Sequence, residues 1–268
     1  MTGVLLALAS AVAYGLADFV GGLLSRRAHF GTIAFVGQLA GLVFALGAAP
    51  FVAADVTYGD LGWGALSGAG TGVGMLFLYR GLARGDMSVV VPVSAVGGVA
   101  LPVIVSVAVL GERPTALAWA GTIVAVPALW LVGRADGGGK PAALGDALIA
   151  SVGFAVQYLA LAQAHSGLWP IVAGRVVAAL IVLPTARRRI PARIGVGAAA
   201  CGVTAAGALV CYLLATRQTL DVVAVVLSSL YPAIPALLGI TVLRERLSTW
   251  QTVGLAAAGI SIGLLAVG

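Results

Sequence analysis

Charge is what this sequence has least of. Lys, Arg, Asp and Glu make up 9% of its 268 residues, against roughly 25% in ordinary soluble domains. So few charges cannot cover a water-facing surface. Cysteines are almost as scarce: Cys201 and Cys211 stand ten residues apart in one apolar segment. On a helix that spacing is about 15 Å, which excludes a disulfide between them, and both read as small core residues. There is no C-x-x-C pair, and the two histidines, His29 and His165, are far apart. No metal site or cofactor is therefore expected. A G-x-x-x-x-G-K-[ST] phosphate loop and an H-E-x-x-H helix are also missing, which excludes ATP hydrolysis by this chain and a zincin-type enzyme. The start, Met1-Thr2-Gly3, lacks the basic segment of a signal peptide, so the first apolar stretch is expected to be retained.

What the chain has instead is apolar length. Hydrophobic residues make up 61%, the mean hydropathy is +1.10, and 38 glycines are about twice the usual share of roughly 7%. In apolar helices glycine lets backbones approach closely. The net charge of +6 would suit a nucleic-acid partner in a soluble protein. Here no basic stripe or aromatic RNA-binding motif accompanies it, and arginines at membrane edges account for it, so no nucleic acid is expected.

The chain also carries an internal repeat. A shift of 133 residues lays Gly85–Gly133 on Gln218–Ala266 without a gap, matching Pro102 with Pro235, Val109-Leu110 with Val242-Leu243, Glu112-Arg113 with Glu245-Arg246, and Gly121 with Gly254. Upstream the same shift pairs Tyr79 with Tyr212 and Arg84 with Arg217. A half-length repeat in an apolar chain is a statement about the fold before it is one about any residue.

A hydrocarbon core of roughly 30 Å needs about 20 apolar residues per helix. Ten such spans are expected: Gly3–Leu24, Gly31–Ala53, Leu61–Ala83, Ser88–Leu110, Thr115–Val132, Ala143–Ala164, Leu168–Ala186, Ile194–Ala215, Asp221–Leu243 and Ser248–Val267. The longest connection, Gly133 to Leu144, contains the glycine-rich Asp136 to Pro141 and reads as a flexible linker between the halves. Five spans per half is an odd number, so the second copy enters the bilayer from the opposite side. The expected fold is all-α and polytopic, with ten transmembrane helices in two inverted five-helix repeats, residues 1–136 and 137–268. That architecture is typical of alternating-access carriers. Loops after odd spans hold Arg26, Arg27, Arg80, Arg84, Arg134, Lys140, Arg187, Arg188, Arg189, Arg193, Arg244 and Arg246, whereas loops after even spans hold only Arg113 and Arg217. The bias puts odd loops in the cytoplasm and both termini outside.

Asp18 stands out as an acid deep in an expected span, on a helix face with Ser10, Tyr14 and Gly22. A carboxylate there costs several kcal/mol unless paired, protonated or hydrated. It is either a substrate or proton site, or half of an interhelical contact reaching toward Arg26-Arg27. Arg175 is the matching anomaly in span seven: it can hold a substrate carboxylate or phosphate, or neutralise Asp18 across the bundle. Aligning Gly37-Gln38 with Gly174-Arg175 sets an amide in one half where the other has a cation, and Gln157-Tyr158 lie near the counterpart of Asp18. Tyr79 closes a stripe with Trp63, Ser67, Thr71 and Met75, and Tyr212 one with Thr204 and Ala208, patterns that suit a cavity wall or plain packing. Pro92 and Pro102 in span four, with Pro232 and Pro235 in span nine beside Ser228 and Tyr231, mark candidate broken, moving helices or static kinks. Glu112 and Glu245, at span ends and on opposite membrane faces, suit interfacial or gating roles. Ser248 with Gln251 fits a capping box.

The Glu112-Arg113 and Glu245-Arg246 endings in a 5+5 repeat resemble the EamA family of the drug/metabolite transporter superfamily. Tyr14 to Phe19, Tyr79 to Gly85, Val91-Pro92 and Gly111 to Pro114 are similar to bacterial members in particular. The resemblance covers essentially the whole chain and implies a bundle that moves small organic solutes, often exporting amino acids, metabolites or drugs. Related small multidrug transporters keep a proton-carrying acid in their first helix, the helix that holds Asp18. Two departures stand out: Arg244 replaces the Gly111 of the first repeat, and Asp55 and Asp60 follow span two, where many members carry basic residues.

The expectation is therefore a secondary carrier, not an enzyme, multi-pass in a bacterial cytoplasmic membrane and surrounded by lipid. It would act as a monomer or homodimer, exporting a small metabolite, amino acid or drug, with the proton as candidate coupling ion. A lipid flippase or a non-transporting scaffold is the alternative, and an intramembrane enzyme lacks a nucleophile and base at shared depth.

Overall fold

The expected spans coincide with helices, the ninth only in part. The computed structural model describes residues 2–105, 107–108, 113–133, 141–164, 167–187, 190–216, 218, 227–228 and 230–267. The helices are α1 (Thr2–Ser25), α2 (Phe30–Ala48), α3 (Tyr58–Arg84), α4 (Met87–Val105), α5 (Ala116–Gly133), α6 (Pro141–Leu161), α7 (Trp169–Val182), α8 (Ala192–Thr216), α9 (Ala233–Thr241) and α10 (Thr249–Val267). Short 3-10 turns, Ala49–Phe51 and Leu183–Thr185, extend α2 and α7. No strand occurs among the described residues. Among the described residues, seven helical stretches are long and apolar enough to cross a membrane, and Ala116–Val132 and Trp169–Thr185 are shorter apolar helices.

One expectation needs correcting. The linker expected to run to Leu144 ends earlier, since α6 already begins at Pro141, where a proline at the first helical position lacks an amide that would have had no partner there. In the second half, Leu227 and Ser228 are helical, residues 230–232 form a turn, and α9 starts after Pro232, its N-cap residue, with Pro235 in its first turn. Pro92 and Pro102 lie inside α4. Of span nine, residues 221–226 and 229 lie outside the described residues, as does Glu112. The capping box is present: Gln251 N–H donates to Ser248 Oγ at 3.2 Å, and Ser248 N–H to Gln251 Oε1 at 2.9 Å.

The interior is built of small residues, with Ala7, Ala147, Ala150, Ala178, Ala198 and Ala215 at 0–1% exposure, while Leu5, Val43, Ile123 and Val196 exceed 60% on the outside. Small residues inside and large apolar ones outside are what lipid as the surrounding solvent selects.

The main helix pairs share one pattern. The main interfaces are α3 with α6 and α7, α1 and α2 with α8, α4 with α6, α1 with α9, and α5 with α10. Exchanging each helix for the one five places away turns α3–α6 into α8–α1, α3–α7 into α8–α2, and α4–α6 into α9–α1. The pattern holds at residue level. A Cβ on Gly202 in α8 would collide with the Gly37 carbonyl in α2, and one on Gly68 in α3 with the Gly174 carbonyl in α7. Between α5 and α10, a Cβ on Gly121 would stand 2.7 Å from Leu265 Cγ, and one on Gly254 2.7 Å from the Val132 amide nitrogen. As residue number climbs along α5 its partner's falls along α10, so the two run antiparallel.

Candidate functional site

Helices crossing on glycine bring mid-helix side chains of several elements into one region. Asp18, seven residues before the end of α1, lies within electrostatic reach of the hydroxyls of Tyr14 (α1), Tyr79 (α3), Tyr158 (α6) and Tyr231 (just before α9), and of the Cys201 thiol (α8). Tyr158 and Tyr231 share a side-chain hydrogen bond. The Tyr14 and Tyr231 rings stand 6.0 Å apart at 55°, and Tyr212 faces Tyr14 and Tyr158. Tyr79 is buried and its hydroxyl packs against Gly21, a fit only glycine allows. Tyr158 keeps 43% exposure. The hydroxyl of Ser228 donates to the Ala7 carbonyl at 3.4 Å. Gln157 contributes its backbone, which packs against Gly70 of α3.

Arg175 does not neutralise Asp18: among the described residues no ion pair joins them. Its Nη1 donates to Gln38 Oε1 at 2.8 Å, and Gln38 is 2% exposed. The guanidinium is within electrostatic reach of Tyr14 and Tyr79, so these tyrosines separate the cation from the carboxylate. Gln38 and Arg175 are the residues that the alignment of the halves makes equivalent, and they touch each other.

At the arginine-rich end, sequence reading missed an acid. Asp146 in α6 is buried to 5% and pairs with Arg80 Nε and Arg84 Nη1, each at 3.4 Å. Arg80 also lies over the Phe77 ring at 5.3 Å. The signal was available: Arg80, inside an apolar helix, calls for a partner acid. Glu245 lies at the same end, its side chain 6% exposed. It accepts hydrogen bonds from the Met87 and Ser88 amides at 2.9 Å each and from Ser88 Oγ at 2.7 Å, all at the start of α4. Arg26 donates Nη2 to Glu245 Oε1 at 3.2 Å and to the Gly85 carbonyl at 2.8 Å, and Nε to the Leu82 carbonyl at 3.0 Å. No group of three or more metal-ligating side chains occurs among the described residues.

No curated protein matches the sequence significantly. A solved crystal structure of a protein 15% identical covers 95% of this chain and 96% of its own with a TM-score of 0.56, which shows a shared fold. Residues 1–134, half of the chain, match the EamA-like transporter family. With an all-helical apolar bundle holding a polar cluster at its centre, the chain is a multi-pass membrane protein that belongs to the EamA-like transporter family.

Proposed function

We propose that the protein is a secondary carrier which moves a small organic metabolite, amino acid or drug across a bacterial cytoplasmic membrane by alternating access, in the export direction. The observation that carries this reading is the convergence of Asp18, Tyr14, Tyr79, Tyr158, Tyr231 and Arg175 from different helices of both halves on one region. Ten spans in two inverted five-helix repeats are the architecture proposed for it. The exchange pattern in the helix pairing and the antiparallel α5–α10 seam support that topology, because an axis perpendicular to the helices is what inverts one half against the other.

Asp18 is the proposed proton or cation site and Arg175 the anion site. A carboxylate with no cation beside it alternates readily between protonated and substrate-bound forms, whereas a salt-bridged one would be held charged. Arg175, with one N–H donated to Gln38, keeps further donors for a carboxylate or phosphate. Pro92 and Pro102 make α4 the proposed bending element. Trp63, 43% exposed, is left out of the site.

Two measurements test this. In proteoliposomes, Asp18→Asn is expected to lose pH-driven solute uptake while remaining folded; full uptake would remove the proton role. In a thermal-shift screen of the purified protein against metabolites and drugs, a stabilising solute is expected to lose its effect in Arg175→Ala. A hit that persists unchanged would take Arg175 out of the site.

A further inference from the structure

We infer that Glu245, Ser88 and Arg26 form a one-sided latch that holds the arginine-rich end of the carrier closed; the inference rests on the transport reading above. Four helices meet at this node. Arg26 follows α1 and takes two carbonyls at the end of α3, Glu245 follows α9, and its carboxylate takes the first two amides of α4 together with the Ser88 hydroxyl. Helix-start amides have no partner within their helix, so the acceptor for these two comes from 158 and 157 residues away. An anion suits that position, since the helix dipole is positive there.

The chain is shaped to deliver the carboxylate. Arg244 turns the backbone through a left-handed conformation, φ 55°, and the Glu245 amide donates back to the Gly239 carbonyl at 3.1 Å. At Gly239 a Cβ would stand 2.6 Å from Glu245 Oε2, so the absence of a side chain makes the room in which the carboxylate lies. The latch spans both halves, with Arg26 and Ser88 in one and Glu245 in the other. Any motion that separates α9 from α4 at this end has to break it.

The repeat shows why the device is one-sided. Under the 133-residue shift, Glu245 corresponds to Glu112, Ser88 to Asp221 and Gly239 to Ser106. An acid replaces the hydroxyl donor, and a side chain replaces the glycine. The sequence of the opposite end thus lacks two of the features that seat Glu245. The resting carrier accordingly stays closed at the arginine-rich end and opens there only when the latch releases.

The test reads accessibility without any solute. In the full chain carrying Cys211→Ala, reconstituted in vesicles of known orientation, the site thiol Cys201 is labelled by a membrane-impermeant reagent from either side. Glu245→Ala is expected to raise labelling from the arginine-rich side about tenfold, as loss of charge-assisted hydrogen bonds should, and to lower it from the other side. Ser88→Ala, which removes a single donor and spares the fold, is expected to shift it the same way by about threefold. Labelling unchanged in Ser88→Ala and Glu245→Ala, or raised equally from both sides, overturns the latch. If Glu245→Ala does not fold, Ser88→Ala decides alone. A one-sided shift in a chain that carries no solute would keep the latch and sink the carrier.

Discussion

The seams between the two halves and the side chains they surround differ in kind. The seams are duplicated: Gly37 meets Gly202 as Gly174 meets Gly68, and Gly121 meets Leu264 and Leu265 as Gly254 meets Leu131 and Val132. The contents are not duplicated. Gln38 faces Arg175, and Asp18 has no second acid opposite it. On the proposed transport reading, a symmetric frame around asymmetric contents would let both halves move as equivalent bodies while the solute between them met an acid on one side and a cation on the other.

That contrast can be broken at its strongest point first. Gly68→Leu and Gly202→Leu each drive a side chain into a backbone carbonyl that cannot step aside, at more than the roughly 1–3 kcal/mol of ordinary overpacking. Both are expected to abolish monodisperse protein in size-exclusion chromatography, and to equal degree; a tolerated change at one site only would break the equivalence of the seams. Next, Gln38→Arg sets two guanidinium groups against each other. It should cost about 3 kcal/mol, seen as a lowered melting temperature, and abolish solute binding. Arg175→Gln makes the contents symmetric as well: two amides still hydrogen-bond, so the melting temperature should change little while stabilisation by an anionic solute is lost. The smallest effect is expected from Arg244→Gly. It places at the left-handed turn the residue type that the first repeat carries at Gly111, and should raise stability by about 1 kcal/mol.

Much of the frame was legible because hydropathy and the 133-residue shift are long-range patterns that no single residue can spoil. Spans placed from apolar length fall on helices, and the Ser248–Gln251 box, a local motif, formed as its spacing dictates. The partners of individual polar groups were not legible. Periodicity puts Arg175 on a helix face but does not say whether Gln38 or Asp18 lies opposite, since that depends on where α2 and α7 cross. Asp146 escaped notice because it lies near the start of an apolar segment, where acids are common as caps. Only the fold shows it enclosed by Arg80 and Arg84. For the prolines, the sequence marks Pro232 as a place where a helix is interrupted, and the turn at residues 230–232 before α9 falls there.

The α5–α10 seam has a consequence for assembly. Gly121 and the Leu131–Val132 step belong to one helix, and each finds its counterpart on the other through the same geometry. A single half thus carries both the groove and the ridge of that interface. The seam is thereby self-complementary, so a side chain added at Gly121 and one added at Gly254 would press on the same interface from its two ends.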